Sequence, residues 1–402
     1  MSVQAIAYTA FFVAALSWSP LLPGLLGFPF ALAVLLSFIV FVVFTLPLYG
    51  TAPLPLLLMI GMLVACVLFM GISQSSILLL RTAPIPMLAF MAYQATRVPG
   101  LANKLCHALT VYLVIGVVGA LIGQAYALSG GTPLFTIANI DGRENGLYLA
   151  TMSNFNWLGV IRPAFIYDEP GAFSFLICAT VALREVLRMR RGPSLFMLLG
   201  AITTFSITHW LITVIFLVVR FGLLRVAVMM ALVITPVLPT LSSLEELSFI
   251  AERFKVSDGE FAGDNRSDQL RNFADVVDGQ ILLFGDIQCH ARPEKVCHEH
   301  GDITSSPATP LYKAGLLGLI PQLVVHLALL VLLVFVPQYR FAALALTILL
   351  LQRPYFEISG YGFMTYLTTL LMIRSRRFRI GGKALRPNRP SMRAHDDCRS
   401  LS

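Results

Sequence analysis

The 402-residue chain is 57% hydrophobic and 12% charged, with a mean hydropathy of +0.79. Soluble proteins carry about 45–50% apolar and about 25% charged residues, so these few charges exclude a soluble globular domain. The net charge of +8 is unevenly spread: residues 241–311 hold thirteen Asp/Glu against six Lys/Arg, and the rest of the chain is strongly basic. Basic clusters occur at Arg184, Arg188, Arg190 and Arg191, at Arg220 and Arg225, and from Arg374 to Arg393. The positive-inside bias assigns these clusters to the cytoplasm and the acidic loop to the outside. Anionic membrane lipids suffice as their partners, and no nucleic acid is required.

In chain order, apolar runs predict membrane spans near residues 4–20, 29–49, 53–72, 75–95 and 107–128. Each must be helical, because lipid offers no partner for an open backbone. The first run follows no basic n-region and reads as a retained span. Arg81, Pro84 and Pro86 weaken the fourth. A mixed segment, 129–169, precedes spans near 170–187, 194–219 and 222–240. Residues 194–219 lie between two basic clusters that should share one side, and their centre holds Thr203, Thr204, Ser206, Thr208 and His209. A pair of short or re-entrant half-spans meets that demand, whereas one crossing does not. The large polar loop 241–311 comes next, then spans near 312–336, 341–352 and 361–373, and a basic tail, 374–402, rich in Arg, Pro and Ser and expected to be disordered. The expectation is an all-α polytopic membrane protein of about twelve helices. It comprises an N-terminal bundle over 1–240, one large periplasmic loop, C-terminal helices over 312–373 and a cytoplasmic tail.

Four groups of residues carry candidate chemistry. RPAFIYDEPGAF, Arg162 to Phe173, sets Arg162, Asp168 and Glu169 at the mouth of a span, at headgroup level. Guanidinium donors there suit a pyrophosphate, although an interfacial ion pair beside a helix-starting Pro170 accounts for the same residues. In the loop, Leu270, Phe273, Val276 and Val277 repeat at helical spacing. They predict an amphipathic helix from Asn265 or Ser267. Arg266 at its start opposes the helix dipole, which favours an anionic partner, and Arg271 reads as solvated. The run CHARPEKVCHEH holds Cys289, His290, Cys297, His298 and His300. A Cys289–Cys297 disulfide suits an oxidising compartment, zinc is the competing reading, and His298 or His300 could serve as a base. His209 at membrane depth reads equally as a functional group or as a neutral core histidine. Cys66, Cys106, Cys178 and Cys398 are expected as free thiols, and no nucleotide-binding motif is present.

In this order the motifs resemble the Wzy-type bacterial polysaccharide polymerases and the related O-antigen ligases. The resemblance rests on Arg162, Phe165, Tyr167 and Asp168-Glu169-Pro170-Gly171, on TTFSITHWL from Thr203 to Leu211, on Arg266 through Gly285, and on Gly315-Leu316-Leu317-Gly318. It covers about residues 140–375. One departure stands at the end of the loop, where many relatives carry His-Asn or Asp and this chain reads SSPATPLYKAGLLG, with His298 and His300 farther upstream.

The resemblance implies glycosyl transfer at the periplasmic face of the inner membrane. A glycan on undecaprenyl pyrophosphate passes to a hydroxyl of another lipid-linked repeat unit, building O-antigen or exopolysaccharide without metal or cofactor. Arg162, Arg266 and Glu169 are the expected catalytic residues, with Glu169 orienting Arg162 or activating the acceptor. Asp168, Arg271, His209, His298 and His300 are expected to bind substrate. A chain-length regulator and a flippase are the implied protein partners. The alternatives are a ligase that hands the glycan to lipid A core and a multi-span transporter. Transporters tend to show inverted repeats and midplane charges, and neither stands out here.

Overall fold

The computed structural model describes residues 53–74, 76–138, 144–167, 169–242, 256–257, 260–261, 265–286, 306–356 and 359–380, with scattered positions before residue 53. The spans expected near 4–20 and 29–49 lie mostly outside the described residues. Asp168, Cys289, Cys297, His298, His300, Cys398 and the tail beyond 380 lie wholly outside them.

The described chain is mostly helical and compatible with an all-α membrane protein. Helix α1, Pro53–Ser73, is about 31 Å long at 1.5 Å per residue. It exposes Leu54, Leu57, Leu58, Val64 and Leu68, as a lipid-facing helix would. The expected span at 75–95 is instead two helices, α2 (Ser76–Thr82) and α3 (Pro84–Arg97). Pro84 and Pro86 lack the N–H that would continue the helix and sit in the first turn of the next one. Helix α4 spans Leu101–Leu128. Helices α1, α4 and α11 (Thr309–Phe335) are long and apolar enough to cross a membrane by length and composition.

The mixed segment after α4 corrects the all-α expectation locally. It holds β1 (Thr136–Ala138), β2 (Glu144–Tyr148) and β3 (Thr151–Ser153) in one antiparallel sheet, and the hairpin β4 (Asn156–Trp157) and β5 (Val160–Ile161). Register pairs Ile137 with Asn145, Leu147 with Met152 and Trp157 with Val160. Leu158 and Gly159 both take positive φ, 49° and 84°, as a two-residue hairpin turn requires. The segment lies directly on α4. A Cβ at Gly119 would stand 2.9 Å from the Ala150 carbonyl oxygen, and one at Gly116 2.8 Å from Phe165 Cδ1. The small residues of α4 therefore let irregular backbone pack inside protein, where its polar groups stay out of lipid.

Helix α5, Pro170–Val186, is almost entirely buried. After it come α6 (Gly192–Gly200), a 3-10 turn at Ala201–Thr204, and α7 (Ile207–Phe221). Phe205 at φ 51° makes the break between them. Arg184 near the end of α5 bonds Ser194 Oγ at 2.9 Å and Thr110 Oγ1 at 2.7 Å, and Arg220 pairs with Glu185. Both ends of the 192–221 stretch are thus tied to the same end of α5, so the chain goes out and comes back. The two basic clusters that demanded a broken segment indeed sit together.

Helix α8, Leu223–Ser242, follows, then the strand pair β6 (Val256–Ser257) and β7 (Glu260–Phe261). The expected amphipathic loop helix is α9, Asn265–Val276, and a short α10, Gly279–Phe284, is capped by Asp278, whose side chain accepts from Ile281 N at 2.7 Å. Helices α11, α12 (Arg340–Gln352) and α13 (Ser359–Ile380) complete the bundle. The first turn of α11 is offset from its body by Gly315 at φ 56°. A Cβ at Gly315 would overlap the Leu283 carbonyl, and one at Gly285 would stand 2.7 Å from the Lys313 carbonyl carbon. Asp286 completes this interlock: its N–H donates to the Tyr312 carbonyl, and its carboxylate accepts from the Tyr312 hydroxyl, both at 2.7 Å.

Cross-contacts fix the polarity of the bundle. At one end Arg374 bonds the Thr96 carbonyl, the Tyr339 hydroxyl donates to Ser375 at 2.7 Å, and Arg184 and Arg220 make the ties above. Arg97, Lys104, Arg188 to Arg191 and Arg340 belong to the same helix ends. We call this the basic belt. The other end holds the β segment, α10 and the first turns of α5, α11 and α13.

Gly315→Ala should be the most damaging single-methyl substitution among the glycines of α11. It meets a carbonyl and a left-handed backbone at once, and a cost of about 2–4 kcal/mol is expected. A thermal-unfolding midpoint in detergent unchanged from wild type would refute the interlock.

Candidate functional site

At the end opposite the basic belt, several of the described charged groups converge. Glu169 ends the β segment just before Pro170 opens α5, and its carboxylate pairs with Arg353, which ends α12. The side chains are 20% and 12% exposed, so the pair is largely withdrawn from solvent. A Cβ on Gly171 would collide with the Arg353 guanidinium, so the glycine lets that cation lie across the start of α5. Burial alone would weaken the hold of Arg353 on its proton. The Glu169 carboxylate more than offsets that and pushes the guanidinium above its already high range.

Beneath this pair is an aromatic floor. Tyr361 is buried, its ring edge-on to Phe175 at 4.1 Å and to Tyr355 at 5.9 Å. The hydroxyls of Tyr112 and Tyr167 meet at 3.0 Å, and Phe173 stacks on Tyr167. The side facing α11 carries Lys313, whose Nζ lies 5.2 Å from the centroid of the Tyr355 ring, within cation–π range. Lys313 and Arg81 line a narrow crevice with Ile85, Ala314, Gly318 and Phe356.

The residues expected from sequence fall in several places. Arg162 is half-buried beside the same end of α5, and its Nε donates to the Thr204 carbonyl at 3.2 Å, in the break between α6 and α7. It therefore caps one of the carbonyls that the break leaves outside the helix ladder. Glu169 is held by Arg353. Arg266 lies in the first turn of α9, as expected, and Arg271 is exposed on that helix. His209 is fully buried. One ring nitrogen is 2.7 Å from the Leu198 carbonyl and the other 3.4 Å from Cys178 Sγ, so the ring pins α7 to α6 and α5. That geometry matches the core-histidine reading. Cys66, Cys106 and Cys178 are buried free thiols.

Arg353, Lys313 and Arg81 were not singled out from sequence as site residues. Arg81 was read only as weakening a span. Lys313 stands inside the very stretch, SSPATPLYKAGLLG, in which the expected histidine is missing. The available signal was a cation at the end of an apolar run on the acidic side, where the positive-inside bias gives it no role.

Compared with protein-family models, with characterised proteins and with solved structures, the chain matches none. The site is therefore read from its own geometry.

Removing one partner of a largely buried ion pair strands the other charge. Arg353→Ala and Glu169→Ala should each lower stability by about 2–4 kcal/mol, and the double substitution should cost less than the sum of the two. Strict additivity in detergent unfolding would show that the pair is not coupled.

Proposed function

We infer that the chain is a membrane glycosyltransferase that polymerises lipid-pyrophosphate-linked repeat units, with its site at the end of the bundle away from the basic belt. One observation carries this reading: Arg353, Lys313 and Arg81 gather with Glu169 at that end. A cation on that side gains nothing from the cytoplasmic bias, and its desolvation must be compensated. Guanidinium and ammonium groups held at headgroup level are suited to an anionic substrate.

In this reading the bond from the anomeric carbon to the diphosphate oxygen breaks while a sugar hydroxyl of the second repeat unit attacks that carbon. The diphosphate leaves with the electron pair. Guanidinium and ammonium groups already fixed in place stabilise the charge it gains, with no reorganisation at the moment of reaction. Glu169 takes the proton of the attacking hydroxyl or orders the cations around it. Arg162 holds the β segment to the α6–α7 break and bears on the leaving diphosphate from that side, and Arg266, in the first turn of α9, is the loop's candidate for the same role. The basic belt then faces the cytoplasm and the acidic loop the periplasm of an inner membrane, with a flippase supplying the substrate.

The test is surface-glycan length in the host strain. Deletion of the gene should leave single-repeat glycans, and complementation with Arg353→Ala or Arg162→Ala should restore chain length at least about 10-fold less efficiently than wild type. Complete loss of lipid A-linked glycan upon deletion would assign ligation instead, and unaltered chain lengths would reject both.

A further inference from the structure

We propose that the tips of the two short hairpins after α4 anchor the β segment in the lipid boundary at the end of the bundle opposite the basic belt. Trp157 and Leu158 at the β4–β5 turn and Leu149 at the β2–β3 turn enter the zone where headgroups meet acyl chains. Such an anchor requires only that α1, α4 and α11 cross a membrane, and it holds whether or not a sugar is transferred.

Backbone conformation is the first ground. Leu149 at φ 54° and Leu158 at φ 49° both lie in the left-handed region. Each opens a two-residue turn, one between Tyr148 and Thr151 and the other between Trp157 and Val160. Asn, Asp and Gly suit such a position, and a bulky side chain is disfavoured there. Both turns nevertheless carry leucine, 45% and 61% exposed, beside Trp157 at 45%. A leucine that its backbone disfavours and its own chain leaves exposed points to a contact outside the chain.

Depth decides what that contact is. Measured along α4 from Lys104 of the basic belt at 1.5 Å per residue, Gly119 lies at about 23 Å, Gly123 at about 29 Å and Leu128 at about 36 Å. The hydrocarbon core of a bilayer is about 30 Å thick, and headgroups extend it to about 40–45 Å. Gly119 faces the Ala150 carbonyl and Gly123 the Tyr148 carbonyl, so the Leu149 tip stands at the outer edge of the hydrocarbon. Gly159 packs on Ala127 and Leu128, which sets the Leu158 tip among the headgroups. Tryptophan is favoured at that level.

Composition is the third ground. Residues 145–161 carry no charge, whereas 241–311 hold thirteen acids and six bases. On α4, Val111, Ile115, Val118 and Ile122 form an exposed apolar stripe, and Gly119 and Gly123 lie on the adjoining face. The hairpins therefore sit at the edge of a lipid-facing surface and continue its chemistry. Arg162 follows β5 directly, its N–H donating to Ser153 Oγ at 3.3 Å. Lipid that holds the tips thereby sets the height of Arg162 and of the Thr204 carbonyl it caps.

The experiment places the full-length chain in phosphatidylcholine vesicles and reads Trp157 fluorescence as the difference between wild type and Trp157→Phe. Bromines near the glycerol end of the acyl chains should quench it more than bromines near the chain ends, and aqueous iodide should quench it weakly. Asn suits both turns, so Leu149→Asn with Leu158→Asn combined should keep the detergent unfolding midpoint at or above wild type while the shallow-bromine quenching falls about 2-fold. Iodide quenching without bromine quenching would put the tips in water and overturn the anchor. Protection from both quenchers would overturn it in favour of a protein cover, such as a second copy of the chain. A lowered detergent midpoint in the double variant would assign the leucines to internal packing, and unchanged quenching would show that they do not hold the tip in lipid; either result overturns the anchor.

Discussion

A carboxylate and a guanidinium withdrawn from water have to find each other, and in this chain they do so across 184 positions, Glu169 to Arg353. The tie joins the start of α5, the most buried helix, to the end of α12, and Gly171 is the residue that lets the two approach. Because burying either charge alone is expensive, the pair fixes how the central helix meets the C-terminal three. The aromatic floor of Tyr361, Phe175 and Tyr355 and the ordering of Lys313 over Tyr355 follow from that placement.

The same economy governs the backbone. Apolar surface faces outward over α1, so hydrophobic burial from water cannot by itself hold such helices together. Close approach does it instead. Gly116 and Gly119 admit the β segment onto α4, while Gly285 and Gly315 lock α10 onto α11. Broken helices are tolerated because their open groups find protein partners: the Thr204 carbonyl takes the Arg162 Nε–H, and the His209 ring holds the Leu198 carbonyl. Among the described residues, the outcome is a bundle with one end crowded by arginines and the other holding Arg81, Lys313 and Arg353 close to Glu169.

Much of this was legible in the sequence. The long apolar runs marked α1 and α11 to within three residues and α4 with its start six residues late, and the Leu270, Phe273 and Val276 spacing marked the loop helix. Two arginine clusters flanking Thr203 to His209 required a segment that returns on itself, since charge bias and span length together leave one solution. The short strands of 136–161 were not legible, because two- and three-residue pairings carry too little alternation to stand out from a loop. Of the residues in the candidate site, Arg162 and Glu169 were singled out from sequence. The partner of Glu169 was not, because Arg353 looks like any flanking arginine until the chain closes over it. Lys313 was hidden for the opposite reason: attention fell on a histidine that this stretch does not have.

The proposed function turns on cations fixed at the end of the bundle opposite the basic belt, the end it assigns to the side away from the cytosol. Its most direct test is sidedness, measured with a membrane-impermeant maleimide on right-side-out and inside-out vesicles. Single Lys313→Cys and Arg191→Cys variants would be labelled in a background without other cysteines. Labelling of position 313 in right-side-out vesicles, and of position 191 in inside-out vesicles alone, is the expected result. Labelling of both positions from the same side, or the reverse pattern, would contradict it.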